Sequence, residues 1–364
     1  MKNKFLLIAC GGTGGHLFPG IAVAEEWRAR GGDVLLLISE KQIDSLASEG
    51  FSHLRFERLP AIAMPGLLSA KMPGFLVALL QGVLRCRGLL RSSKADAVLG
   101  MGGFTSTAPL AAGRMRGLPC FVHEANVIPG RANKLNARVA EAVLVGFDAS
   151  EGRFGPGRNT LTVGTPLRPK VVEKPSREES LAYFGLDPER QTLMVMGGSQ
   201  GARQINRLVA AGLAQFEEAG VQVLHLTGPL DYDEVAPDYE ARPTAGKALA
   251  FCSEVQYVLA AADVAVCRAG ASGMSELAFY EIPSVLIPYP FAADDHQTAN
   301  ALVFSEAGAA ELWSQDDLDE ESFVRRAIDL VRDAPRLEGM REQMGKLARP
   351  DAAKRVCDVI ADSL

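Results

Sequence analysis

The chain has 364 residues, 48% hydrophobic and 23% charged, which excludes a disordered or fibrous protein and leaves room for about two globular domains. Its formal net charge of −6 argues against general nucleic-acid binding. The six cysteines (Cys10, Cys86, Cys120, Cys252, Cys267, Cys357) form no CxxC pair, so a disulfide framework or zinc site is disfavoured and reduced thiols in a cytosolic setting are the simpler reading.

Residues 2–10 combine lysines with an apolar run that is too short for a signal peptide and ends in glycines, so Lys4–Cys10 reads as a first strand. Gly11-Gly12-Thr13-Gly14-Gly15-His16 follows, then a helical pattern over Pro19–Arg30 and a strand over Asp33–Ile38. Glycine lets the backbone approach a ligand, and the next helix offers unpaired N–H groups, a pairing suited to phosphate. Leu17 stands where GxGxxG needs its last glycine, which weakens a dinucleotide reading; Glu40 is the one feature that favours it. His16 at the lip of the loop can act as a base or bond a hydroxyl, or it can simply cap and pack.

Arg58–Ala95 contains no acidic residue and interleaves Arg58, Lys71, Arg85, Arg87, Arg91 and Lys94 with apolar side chains. The membrane-facing candidates are Met72, Phe75, Leu76, Leu79, Leu80, Val83, Arg85 and Arg87. The mixture suits docking on an anionic membrane surface, and it also suits a core helix with a solvated basic face. No stretch approaches the roughly 20 apolar residues of a spanning helix.

Ala97–Gly100, Cys120–His123 and Ala142–Val145 read as buried parallel strands. Met101–Ser106 and His123-Glu124-Ala125-Asn126 follow two of them, so these turns and the first glycine loop are expected at one carboxyl edge. Glycines and prolines over Gly164–Pro175 mark a boundary. The scheme then repeats. Strands are expected at Thr192–Met196, Val221–Thr227, Ala248–Phe251, Val264–Cys267 and Ser284–Ile287. Helices are expected at Arg203–Glu218, Val255–Ala261 and Gly273–Glu281. A second glycine loop runs through Ser199 to Arg203.

Cys267–Glu276 is the sharpest local signal, with small residues opening a helix against which a diphosphate can lie. Glu276 is ill placed for phosphate, but its carboxylate can accept from two ribose hydroxyls. Gln297 both donates and accepts, which suits sugar hydroxyls. Stabilising roles at helix starts are the plain alternatives for both. The alternation throughout predicts an α/β protein with two doubly wound parallel sheets facing across a cleft.

Taken in order, GGTGGHLFPG at 11–20, GMGGFTS at 100–106, HEAN at 123–126, GTPLR at 164–168, GGSQGARQIN at 197–206 and DHQTANA at 295–301 resemble the peptidoglycan N-acetylglucosaminyltransferase (MurG) family over essentially the whole chain. The resemblance implies a GT-B fold of two Rossmann-like domains. Residues 1–165 would form the acceptor and membrane-facing domain, with 346–364 packing back on it, and 166–345 the UDP-sugar domain. It implies inverting transfer from UDP-N-acetylglucosamine to the C4 hydroxyl of lipid I, without an obligatory metal or other cofactor. The implied location is the cytoplasmic face of the bacterial inner membrane, held peripherally, with other cell-wall synthesis and division proteins as partners.

By position, the resemblance sets Thr13, Gly14 and Gly15 at the donor sugar and acceptor, and Asn126 at the sugar. Arg168 would meet the nucleotide, Ser199 the diphosphate and Cys252 the uracil. Ala271, Ser272, Gly273, Met274 and Ser275 would cradle phosphate, Glu276 would hold the ribose, and Gln297 would read the sugar. His16 is the candidate base, with Glu124 as its orienter or alternative. Ala125, Thr165 and Gly273 depart from the family, which has glutamine, asparagine and threonine there. Competing readings are a glycosyltransferase with another lipid acceptor, a dinucleotide dehydrogenase and a non-catalytic UDP-sugar binder.

Overall fold

The computed structural model describes residues 2–40, 50–60, 65, 69–197 and 202–364. Two compact units divide the chain: Met1–Pro169 with Pro350–Leu364, and Lys170–Arg349. Both crossings fall slightly later than residues 165 and 346.

The first unit is built on β1 (Phe5–Ala9), β2 (Asp33–Ser39), β3 (Phe56–Leu59), β4 (Ala97–Gly100), β5 (Cys120–Glu124), β6 (Ala142–Val145) and β7 (Thr160–Thr162). Every pairing is parallel, and the order is β3-β2-β1-β4-β5-β6-β7. The winding reverses between β1 and β4, where open α/β sheets bind ligands. One face buries Leu6, Ile8, Leu36 and Phe121 with Ile21 and Trp27; the other buries Leu7, Leu37 and Val122 with Cys86, Leu90 and Leu110. Burial on both faces is why these strands read as unbroken apolar runs.

The last helix, Ala352–Asp362, belongs to this unit. Val356, Cys357 and Ile360 enter the core, and Arg30 bonds Asp358 at 2.6 Å and the Lys354 carbonyl at 3.1 Å.

The second unit repeats the plan with β8 (Gln191–Met196), β9 (Val221–Leu226), β10 (Gly246–Leu249), β11 (Val264–Cys267), β12 (Ser284–Leu286) and β13 (Ala310–Leu312). The order is β10-β9-β8-β11-β12-β13, again all parallel, with the reversal between β8 and β11.

Several elements differ from expectation. The short strands β3, β7 and β13 are not legible as apolar runs. β10 starts at Gly246 rather than Ala248, because Gly246, at φ +140°, lies where a Cβ would meet the Val223 carbonyl. Arg203–Glu218 divides into Arg203–Ala211 and Leu213–Glu218. Val324 packs on the intervening Gly212 too closely for any side chain. The first helix begins at Gly14, well before Pro19.

β9 carries one interior titratable side chain. Asn206 donates its amide to the Thr227 carbonyl at 2.8 Å and to Asp231 at 2.9 Å, so its oxygen is the acceptor left for His225. The Nε2–H of His225 therefore donates to Asn206 at 3.0 Å, and its Nδ1 accepts from the Tyr239 hydroxyl at 3.0 Å. Burial pushes the His225 pKa down to about 3. The folded state thus refuses a proton that the unfolded chain takes up near pH 6.5, so this stability is complete above that pH and is lost as pH falls toward 3. Urea unfolding is expected to show a loss of about 2 kcal/mol at pH 5 relative to pH 7 that His225→Gln lacks. Identical pH slopes in the two proteins would overturn the assignment.

Candidate active site

The carboxyl ends of β1, β4 and β5 lie side by side in the first sheet, so the turns that follow them share one edge. Met101 N–H donates to the Ala9 carbonyl at 2.8 Å, Thr105 Oγ1 to Gly11 at 2.8 Å, and Ser106 Oγ to Ala9 at 3.1 Å. Two glycine turns are thereby stitched into one surface. Thr13 is extended at φ −151°, which makes Gly14, Gly15 and His16 the first helical turn.

The half-buried His16 ring lies over Gly102 and Gly103, with Nδ1 3.3 Å from Thr13 Oγ1. A Cβ on Gly102 would come within 2.6 Å of Nε2, and its φ of +122° also demands glycine.

Glu124, buried at the end of β5, has a different environment from the one expected. One carboxylate oxygen accepts from the Asn126 backbone and side-chain amides at 2.9 and 3.1 Å. The other accepts from Gly130 N–H and Asn133 Nδ2, both at 2.9 Å. These donors come from its own loop and not from His16, so Glu124 organises the turn that carries Asn126 instead of orienting the histidine. His123 is buried and donates Nε2–H to the Gly164 carbonyl at 2.9 Å. Burial holds its pKa below the ordinary value, so this histidine joins β5 to the Gly164 turn as a neutral group. The Arg168 guanidinium lies 5.5 Å over the ring of Phe18, two residues beyond His16. Among the described residues the buried Thr165 hydroxyl has no hydrogen-bond partner, which leaves an unpaired polar group at this position.

In the second unit, Gly270 caps the helix Ala271–Tyr280 in extended conformation beyond β11, with no acidic side chain in the first turn. Helix geometry leaves the first amides without intrahelical acceptors. The amide of Met274 already donates to the Gly270 carbonyl and its side chain is core, so neither serves a ligand. Ser275 Oγ is likewise committed to the Ala271 carbonyl at 3.0 Å. The buried Ala271 and the half-buried Ser272 and Gly273 are the members of the expected cradle in the first turn itself. Glu276 is 2% exposed.

Arg268 fastens the neighbouring loops. It donates to the carbonyls of Ile287 and Pro288 at 3.0 Å each and to Gln315 at 2.6 Å. Gln297 accepts from Tyr289 N–H at 2.9 Å, and the buried Asn300 donates to the Ala269 carbonyl at 3.1 Å. Asp294 and Asp295 both hold φ +52°, a strained conformation for residues other than glycine just before the Gln297 helix. Cys252 is half-buried in the loop after β10, and Ser199 lies outside the described residues. Phe18, Arg268 and Asn300 lie within the sequence motifs, but their roles depend on contacts that no spacing encodes.

The basic segment forms the helix Met72–Ser92. Val83, expected to face a membrane, is instead core, with Cys86 and Leu90. Met72 and Leu79 are half-buried, and the half-buried Phe75 meets Phe104 edge-on at 6.1 Å. The exposed stripe is Leu76, Val77, Leu80 and Leu84, each more than half accessible. Arg85 and Arg87 flank it and are exposed; Arg85 pairs loosely with Glu57 at 3.5 Å. By length and composition the 21-residue helix is long and apolar enough to cross a membrane, with mean hydropathy 1.3 over an 18-residue stretch, contrary to the expectation that no segment approaches a span. Its core face ties it to the sheet.

The glycosyltransferase family 28 N-terminal domain matches residues 6–145, and the family's C-terminal domain matches 192–356. Two parallel-sheet domains with these matches define a glycosyltransferase of the GT-B fold. UDP-N-acetylglucosamine–N-acetylmuramyl-(pentapeptide) pyrophosphoryl-undecaprenol N-acetylglucosamine transferases are similar throughout. That of Geobacter metallireducens is 37% identical over 98% of each chain; that of Gloeothece citriformis is 35% identical over 98% of this chain and 95% of its own. The chain belongs to this transferase family. Among solved structures, Acinetobacter baumannii MurG aligns over 99% of both chains with a TM-score of 0.77 at 24% identity. The glycotransferase of kitacinnamycin aligns over 100% of this chain and 99% of its own, with a TM-score of 0.71 at 17% identity; at such identities the likeness is one of fold.

Glu124→Ala would strip four donors of their acceptor. Urea unfolding is expected to show a loss of about 2–3 kcal/mol. A loss below about 0.5 kcal/mol, the usual bound for a featureless surface change, would refute the organising role.

Proposed function

We propose that the chain transfers N-acetylglucosamine from UDP-N-acetylglucosamine to the muramyl sugar of undecaprenyl-diphosphate-linked lipid I, forming lipid II. One observation carries this reading beyond family membership. The helix Ala271–Tyr280 begins five residues before the buried carboxylate of Glu276, with no acidic side chain in its first turn. The helix start suits a diphosphate and the carboxylate suits a pair of ribose hydroxyls, and the two lie on one helix.

In the proposed reaction the acceptor's C4 oxygen bonds to the anomeric carbon as the bond from that carbon to the β-phosphate oxygen breaks. UDP leaves with the bonding pair, and the configuration inverts. The hydroxyl proton passes to His16, whose Nδ1 is held by Thr13, so Nε2 is the nitrogen that receives it. Charge growing on the diphosphate is met by the helix N-terminus. Asn126, held by Glu124, and Gln297, held by Tyr289, are the side chains assigned to the sugar. Cys252 borders the uracil, Arg168 the nucleotide and Ser199 the diphosphate.

UDP release is expected to depend on both UDP-N-acetylglucosamine and a lipid I analogue; no release with an active pair would sink the reading. Glu276→Ala is expected to raise the donor KM at least tenfold, the loss of one charge-assisted hydrogen bond, with little change in the acceptor KM. An unchanged donor KM would refute the ribose role.

A peripheral position on an anionic membrane surface, at the cytoplasmic face, completes the reading. Charge supports it: the first unit has 22 basic and 15 acidic residues, net +7, and the second has 16 and 29, net −13. Such a molecule turns its first unit to a negative surface. Leu76→Glu with Leu80→Glu is expected to cut binding to phosphatidylglycerol vesicles at least tenfold, with the folded state intact because both positions are exposed. Undiminished binding would make the stripe an ordinary solvated face.

A further inference from the structure

The amino-terminal edge of the first sheet, opposite the active-site edge, holds a cavity of about 320 Å³. Three separate segments bring an arginine to its lining. Arg114 lies in the last turn of the helix Thr107–Met115, Arg138 follows the helix Arg131–Asn136, and Arg158 precedes β7. Cys120, the first residue of β5, and Glu141, just before β6, complete the framework. Among the described residues none of the three guanidinium groups makes a hydrogen bond or ion pair. Some arginines elsewhere on the surface are paired, as in Arg177–Asp263, Arg203–Asp231 and Arg207–Glu234.

Three uncompensated cations around one cavity repel one another, and Glu141 is the one acidic group in the lining. The helix end beside Arg114 offers only a partial negative charge, too little to balance them. The planar forks of arginine match the oxygens of a phosphate group, and the volume lies at the lower end of ligand pockets. β5 spans five residues, so the cavity is roughly 15 Å from the turns at the carboxyl edge. An anion bound here cannot touch a sugar reacting at that edge.

We propose that this pocket is a second anion site, separate from the transfer site, that binds a phosphate-bearing group. The inference does not rest on the transferase reading, because it uses no residue assigned to that chemistry. The phosphate could belong to a soluble molecule or to a phospholipid headgroup, and the experiment has an arm for each.

Calorimetry on the full chain, with UDP present at saturation to fill the donor site, would titrate inorganic diphosphate. One further binding event is expected. It should weaken about tenfold in Arg114→Gln and again in Arg158→Gln, while kcat and both KM values for a water-soluble acceptor analogue stay unchanged. Both side chains are exposed, so equal Tm values should confirm that the variants fold. In the second arm the same variants are mixed with phosphatidylglycerol vesicles. Weakened vesicle binding without diphosphate binding assigns the phosphate to a headgroup and supports the site. Diphosphate and vesicle binding both indifferent to the substitutions would overturn it, and UDP release would be unaffected by that result.

Discussion

Everything in this molecule depends on parallel strand pairing that changes its direction of winding once in each sheet. Parallel pairing requires a crossover after every strand, and the crossovers bury both sheet faces. It also sends every strand's carboxyl end to the same edge. Where winding reverses, between β1 and β4 and between β8 and β11, the crossovers leave in opposite directions and the edge stays open. A glycine turn follows β1 and β4, and a small-residue helix start follows β11.

The two edges are built alike and equipped differently. The first presents a histidine packed on glycine and a loop organised by a satisfied buried carboxylate. The second presents a helix start of small residues with a buried carboxylate behind it, and Arg268 fastens the adjoining loops. Most of the polar side chains around these edges bond to backbone: Arg268 to Ile287 and Pro288, Asn300 to Ala269, and Ser106 to Ala9 and Gly102. Side chains bonded in this way turn loops into fixed surfaces, which is what a site needs if it is to orient a sugar rather than merely hold it.

The modest net charge conceals a strong division. A basic first unit and an acidic second unit nearly cancel in the total, so the overall value speaks only against nucleic acid. The basic excess becomes physically meaningful once the contact boundary at residues 169 and 349 is drawn. The helix Met72–Ser92 shows the same dependence. Its composition announces apolar and basic residues, but which of them face outward follows from how the helix is rotated on the sheet. That rotation buries Val83 and exposes Val77 and Leu84.

Much of the architecture was legible in the residues themselves. Apolar runs gave nine of the strands in place or nearly so and a tenth, β10, offset by two residues, because a strand buried on both faces is largely apolar. Glycine loops marked the reversal points, because close approach and positive φ admit little else. The family followed from ordered motifs over the full length. The folded structure alone decided the rest. The half-exposed edge strand β7 carries no apolar signature. The roles of Glu124, Met274 and Ser275 turned on which hydrogen bonds their groups had already made, and the arginine pocket on three segments far apart in sequence. Local residue choice records local geometry and burial; partners distant along the chain exist only once it has folded.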